Sequence, residues 1–195
     1  MNNKTMFELL EKWDLSFFLF LNDLHSPFWD QVMWWISGKY TWIPLYLFML
    51  GWIIIKKKWK TLVLLVVITL LITLSDQISV HFFKEVIKRL RPCHNPDLEG
   101  LVHIVNDKCG GQYGFISSHA SNSFAIATFT LLLFKNHTYS YLIVFWALLV
   151  SYSRIYLGVH YPGDVLGGIT LGLILGRIVY DFYKRIETYW IKKIV

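Results

Sequence analysis

Charge is scarce in this chain. Only 16% of its 195 residues are charged, against about 25% in an ordinary soluble domain. The deficit is filled by apolar residues, 55% of the total, gathered in long runs. Such runs point to a bilayer rather than to a large water-soluble core. Acids are the scarcer sign, leaving a net charge of +6. No basic stripe on a soluble fold accompanies that excess, so a nucleic-acid partner is not expected. Internal repeats and low-complexity segments are absent, and the apolar runs leave no stretch for a soluble appendage. A cleavable signal peptide is not expected either, because Glu8, Glu11, Lys12 and Asp14 interrupt any apolar leader. The first span should then direct insertion itself.

What is present reads as an all-α, polytopic transmembrane bundle. Residues 61–83, 118–134, 139–157 and 162–183 each reach the ~17–25 residues that cross ~30 Å of hydrocarbon. A fifth run, 41–56, is slightly short but strongly apolar. The expectation is one membrane-embedded domain over 1–195: interfacial helices in 1–40, a transmembrane core in 41–183 and a cytoplasmic tail in 184–195. Basic residues set orientation. Lys56, Lys57, Lys58 and Lys60 lie between two spans, and Lys184, Arg185, Lys192 and Lys193 follow the last, so both clusters should face the cytoplasm. Segments 84–117 and 153–164 then lie outside. Residues 5–23 and 27–37 read as two shorter helices broken at His25, Ser26 and Pro27, with Trp29, Trp34 and Trp35 suited to an interface. Five spans with an outside N-terminus are preferred. The alternative is six, with 13–37 crossing as one kinked helix. Nothing in the sequence specifies an oligomeric state.

Three outward segments concentrate polar chemistry. In the first, Lys84, Lys88 and Arg91 would share one face if the helix continues to Pro92; a snorkelling basic helix end is the plain alternative. In the second, Ser117, Ser118 and His119 open an apolar helix. Serines there are ordinary N-caps, yet a helix N-terminus also attracts phosphate. In the third, Arg154 ends one span, His160 lies in the turn and Asp164 begins the next after Pro162. Asp164 would fix the His160 tautomer, or merely complement the helix dipole. Each plain alternative stands by itself. Together the segments bring cations, an anion-binding helix start and two histidines to one membrane face, a combination suited to phosphoryl transfer.

These residues resemble the type-2 phosphatidic acid phosphatase family, whose superfamily includes glucose-6-phosphatase and the vanadium haloperoxidases. Its pattern is K-x6-RP, then PSGH, then S-R-x5-H-x3-D. Lys84, Arg91 and Pro92 match the first at full spacing; Ser153, Arg154, His160 and Asp164 match the third. In the second, Ser117 and His119 agree, but Ile116 replaces Pro and Ser118 replaces Gly. The resemblance covers roughly 27–183. It implies a phosphohistidine on His160, supported by Asp164, with His119 as acid and then base. Lys84, Arg91, Arg154, Ser117 and Ser118 would bind the phosphoryl oxygens. With cations in that role, no metal or other cofactor is expected.

The expected partners are therefore the bilayer and a lipid phosphate whose tail stays within it. Undecaprenyl diphosphate, phosphatidylglycerol phosphate and phosphatidic acid are the candidates, with lipid A dephosphorylated at its 1-position as the alternative. The expected location is a bacterial inner membrane, with the site facing periplasm or exterior. A non-enzymatic lipid-binding or transport protein is the rival class, disfavoured by both histidines and the three cations. Vanadate-dependent oxidation is a third, disfavoured by the spans.

Cys93 and Cys109, the only cysteines, share the outward loop 91–117, where a disulfide is expected on the oxidising side. It would close a loop of about 15 residues, worth about 3 kcal/mol in the chain-entropy model. A zinc site from Cys93, His94, His103 and Cys109 is the sharper rival, and free thiols the plainer one. Asp97, Glu99 and Asp107 in the same loop are expected to screen approaching headgroups. His81 reads as structural or pocket-lining. Asp76 and Gln77, deep in a span, read either as functional or as an interhelical contact.

Overall fold

Helices form where the apolar runs lie. A computed structural model describes residues 3–194. Its order is α1 (Asn3–Asp23), α2 (Pro27–Ser37), α3 (Ile43–Lys57), α4 (Thr61–Gln77), α5 (a single turn, Glu85–Ile87), α6 (Ser118–Phe134), α7 (His137–Tyr156) and α8 (Pro162–Ile194). Among the described residues there is no strand, only an isolated bridge between Leu90 and Tyr113. The break after α1 follows the local chemistry: Ser26 caps Trp29 N–H and Pro27 occupies the first turn of α2.

Helix α6 is the axis of the bundle, packed on α8, α7 and α4. Small residues bring α6 and α8 together. Gly168, Gly172 and Gly176 recur every fourth residue, and a Cβ on them would lie 2.4 Å from Ser117 O, 2.4 Å from Ser121 O and 2.7 Å from Thr128 Cβ respectively. That is a small-residue seam, which lets two backbones touch. Large side chains fill the rest: Met49, Phe124, Ile143 and Trp146 between α3, α6 and α7, and Ile53, Leu64, Leu71, Phe129 and Tyr183 around α4 and α8.

The outer surface is apolar as well. On α4, Leu62, Val66, Leu70 and Leu74 recur every fourth residue, 46–73% exposed. A soluble protein rarely leaves such a stripe uncovered; a bilayer solvates it. Two continuous helical stretches, Ile43–Ile87 and Pro162–Tyr189, are long and apolar enough to cross a membrane. The first turns at Lys58, where φ is 47°. Helices α6 and α7, of 17 and 20 residues, fall within the ~17–25 residue range.

Two expectations change. The last helix does not stop at 183 but runs to Ile194, so the described part of the expected tail is helical. Its Glu187 receives Lys57 at 3.5 Å, Lys60 at 3.4 Å and Lys184 at 2.7 Å, gathering residues of both basic clusters at one end of the bundle. Nor do Lys84, Lys88 and Arg91 share a helical face. The helix widens to a π-turn over Ile78–Lys84 and ends at Ile87. Lys88 then turns left-handed (φ 53°), well before Pro92, and Arg91 arrives in extended backbone. Lys88 is exposed and is not among the residues that line the cavity described below.

Candidate active site

The turn between α7 and α8 carries two fully buried ionisable side chains. His160 is 1% exposed and Asp164 0%. Pro162 starts α8, so Asp164 falls in its first turn, one turn beyond His160. The Asp164 carboxylate is fully engaged. Its Oδ2 accepts the Tyr161 N–H at 3.1 Å and lies 3.3 Å from His160 Nδ1, while Oδ1 accepts Arg89 Nη1 at 2.8 Å. A carboxylate only accepts, so Nδ1 carries the ring proton and Nε2 keeps its lone pair. Burial, then the cations Arg91, Arg154 and Lys84, hold the His160 pKa well below the usual histidine value. The ring is therefore neutral, the form a nucleophile needs.

Arg89 is the tie that sequence reasoning missed. Besides Asp164 it bonds Asp14 of α1 at 2.7 Å and stacks on the Tyr161 ring at 4.1 Å. Asp14 in turn accepts the Gly163 N–H at 2.7 Å. The N-terminal helix thus grips the first turn of α8. Neither residue carried a distinguishing signal, since Arg89 stood among free positions of the first motif and Asp14 read as an interruption of a leader. Gly114 completes the enclosure: a Cβ there would lie 2.9 Å from Asp164 Oδ2 and 3.5 Å from His160 Nδ1.

The cations reach the same cavity from three directions. Lys84 Nζ donates to Ser118 Oγ at 2.7 Å, and Ser118 Oγ meets Ser79 Oγ at 2.6 Å. Arg91 is buried, held by the carbonyls of Tyr113 and Cys109, each at 3.3 Å. Arg154 Nη1 bonds Ser37 Oγ of α2, while its Nε is buried without a partner. Ser37 and Ser79 were also missed, being small hydroxyls within apolar helices. Ser117 occupies the N-cap position of α6, but its side chain does not cap. Its N–H donates to Asp164 O at 2.9 Å, and its buried Oγ has no partner. His119 makes no side-chain hydrogen bond among the described residues and lines the cavity beside His160.

That cavity measures about 950 Å³. One end presents Lys84, Arg91, Arg154, Ser118 and the two histidines; the other is walled by Met49, Ile53, Leu65 and Ile126. A charged end that complements a phosphoryl group thus continues into an apolar end that complements a chain. Among the described residues no three His, Cys, Asp or Glu side chains converge to hold a metal ion.

The loop resolves several open readings. Cys93 and Cys109 are bonded, with Cα atoms 5.9 Å apart. The four-residue zinc reading fails: His94 contacts Gly110 O at 3.1 Å, whereas His103 pairs with Asp30 at 3.0 Å and stacks on His25 at 3.7 Å. Asp97, Glu99 and Asp107 are exposed, and none is among the residues that line the cavity. His81 is exposed and pairs with Glu85 at 2.9 Å, away from the cavity. Asp76 and Gln77, by contrast, line it.

Known proteins resemble this chain in sequence and fold. The chain is 43% identical over 178 residues to a lipid A 4′-phosphatase of Bacteroides thetaiotaomicron, covering 90% of this chain and 79% of that protein. It is 32% identical over 148 residues to phosphatidylglycerophosphatase B of Bacillus subtilis, covering 71% and 66%. The crystal structure of a transmembrane PAP2-type phosphatidylglycerolphosphate phosphatase from Bacillus subtilis superposes with a TM-score of 0.68 at 27% identity, over 91% of this chain and 88% of that one. That of Aquifex aeolicus LpxE superposes with a TM-score of 0.63 at 27% identity, over 86% and 94%. The sequence profile of the PAP2 superfamily matches residues 62–187, which carry every histidine and cation of the cavity named above, and the chain belongs to that family as a membrane lipid phosphatase.

Proposed function

We propose that this chain hydrolyses a phosphomonoester of lipid A, preferentially the 4′-phosphate. The observation that carries this reading is the cavity itself, whose cationic end opens directly into an apolar one. The choice of substrate is supported by 43% identity, over 90% of the chain, to a lipid A 4′-phosphatase.

The chemistry proceeds in two steps. His160 Nε2 attacks phosphorus as the bond to the leaving oxygen breaks, and His119 delivers a proton to that oxygen. A phosphohistidine and a free lipid hydroxyl result. His119 then takes a proton from water, which attacks phosphorus; the N–P bond breaks, releasing phosphate and restoring neutral His160. Asp164 holds the ring and offsets its developing charge. Lys84, Arg91 and Arg154 neutralise the phosphoryl oxygens, with the Ser117 hydroxyl and the Ser118 N–H as donors. The unpaired Arg154 Nε and Ser117 Oγ support those assignments.

In the membrane, α3, α4, α6, α7 and α8 are the five spans, and α1 and α2 lie at the outer interface. Glu187 and its lysines face the cytoplasm. The cavity end with His160 faces the periplasm or exterior of a bacterial inner membrane.

A second reading, phosphate release from phosphatidylglycerol phosphate, rests on the Bacillus subtilis phosphatidylglycerophosphatase. The deciding experiment offers purified protein a panel of lipid A bisphosphate, phosphatidylglycerol phosphate, phosphatidic acid and undecaprenyl diphosphate. Fragment masses then locate the phosphate lost from lipid A. Loss from the 4′-position at the highest kcat/KM is expected. Loss from the 1-position, or inert lipid A beside a rapidly cleaved phospholipid, would overturn the proposal.

A further inference from the structure

Below its cations the cavity is not uniformly apolar. Asp76 lines it from α4, eight residues before Lys84; Asn122 from α6, three after His119; and Trp146 from α7, eight before Arg154. At ~1.5 Å of rise per residue these offsets amount to about 5–12 Å. Three separate helices thus deliver a polar group to one band, one to two turns beneath the phosphate clamp.

All three groups lack partners. Asp76 is engaged only through its backbone carbonyl, which accepts Ser79 Oγ at 2.8 Å; its carboxylate takes no hydrogen bond among the described residues. The Oδ1 of Asn122 and the Nε1 of Trp146 are buried and unbonded, and Trp146 is 6% exposed. Buried polar groups are almost always hydrogen-bonded, and a carboxylate within a span is retained only against a strong cost. Two buried orphans and a half-buried carboxylate, all on residues that line the cavity, mark a place where the ligand supplies the missing partners.

Their chemistry is selective. Asp76 and the Asn122 oxygen accept, while the Trp146 indole donates. The diacylglycerol of phosphatidic acid offers only ester acceptors at this depth, satisfying Trp146 and leaving Asp76 and Asn122 bare. An acylated amino sugar offers hydroxyl and amide N–H donors together with acyl carbonyls, and satisfies all three. We propose that Asp76, Asn122 and Trp146 form a second subsite, which selects phosphorylated lipids bearing hydroxyl or amide N–H donors next to the phosphate over ester-only lipids. This assignment rests on the lipid phosphatase reading and narrows its substrate class.

The test compares two lipids of matched chain length: ceramide 1-phosphate, with an amide N–H and a hydroxyl, and phosphatidic acid, with neither. For the full-length protein in detergent, kcat/KM for ceramide 1-phosphate should exceed that for phosphatidic acid at least tenfold. Asp76→Leu and Asn122→Leu should each lower that ratio at least about fivefold, the scale of one hydrogen bond made only with the better substrate. Asp76→Asn, which keeps the shape but loses the charge, should give an intermediate ratio. A wild-type ratio near one overturns the subsite. So does a proportional loss on both lipids in Asp76→Leu and Asp76→Asn, the signature of a carboxylate acting only as counter-charge to Lys84. Phosphate release from lipid A is measured alongside. Its absence would sink the lipid A proposal while leaving the ratio to judge the subsite.

Discussion

The turn from α7 to α8 and the long connection from α5 to α6 feed the same cavity by different means. In the turn, Arg154, His160 and Asp164 are set by local chain geometry: one helix ends, Pro162 starts the next, and the carboxylate falls one helical turn beyond the imidazole. The connection has no such regularity. It passes through left-handed Lys88, three short 3-10 turns and the Cys93–Cys109 bond. Arg91 and Gly114 are held there by carbonyls, a covalent link and the absence of a Cβ. The His160 ring therefore sits where local helix geometry sets it, whereas Arg91 and Gly114 are delivered by a segment that must be pinned from elsewhere.

Breaking the turn should have the largest effect. His160→Ala should lower kcat at least about 10⁴-fold, in the range of other lost nucleophiles, with a retained melting transition. Wild-type turnover in that purified variant would remove His160 from the mechanism. Breaking the tie between the two regions comes next. Arg89→Ala releases both Asp164 and Asp14 and should cost about 10²-fold in kcat, as misplaced catalytic groups do, whereas Asp14→Asn should cost less because Arg89 still holds Asp164. Equal losses in both variants would mean that α1, not Arg89, supports the histidine. Smallest is the loop staple. Cys93→Ser with Cys109→Ser should lower the unfolding midpoint, by about 3 kcal/mol of stability in the chain-entropy model, but activity by under about tenfold. An activity loss as large as that of Arg89→Ala would show that Arg91 depends on the bond more than on its carbonyl partners.

The same contrast explains what could be read in advance. Helices α6 and α7 begin and end within a few residues of the apolar runs, and the break at His25–Pro27 follows from Ser26 and Pro27. The third motif was legible because its spacing is its geometry. The first was legible as a spacing but not as a shape: Lys84 and Arg91 reach one cavity although no common helix carries them. Arg89, Asp14 and Ser37 were invisible because each owes its role to a partner at least 75 residues away. Asp76 could be flagged as an unusual charge in a span, but only the cavity distinguishes a wall facing ligand from a contact between helices.

By itself, the sequence determined an all-helical membrane protein, its family and the chemical identity of its histidines and cations, because helical periodicity, hydrophobicity and motif spacing are local properties. Tertiary structure decided which of those groups meet, what holds His160 neutral, and what else lines the cavity. Those outcomes depend on burial and on hydrogen bonds between distant segments. In this chain both arise only when the glycine seam brings α8 against α6 and Arg89 joins α1 to the turn.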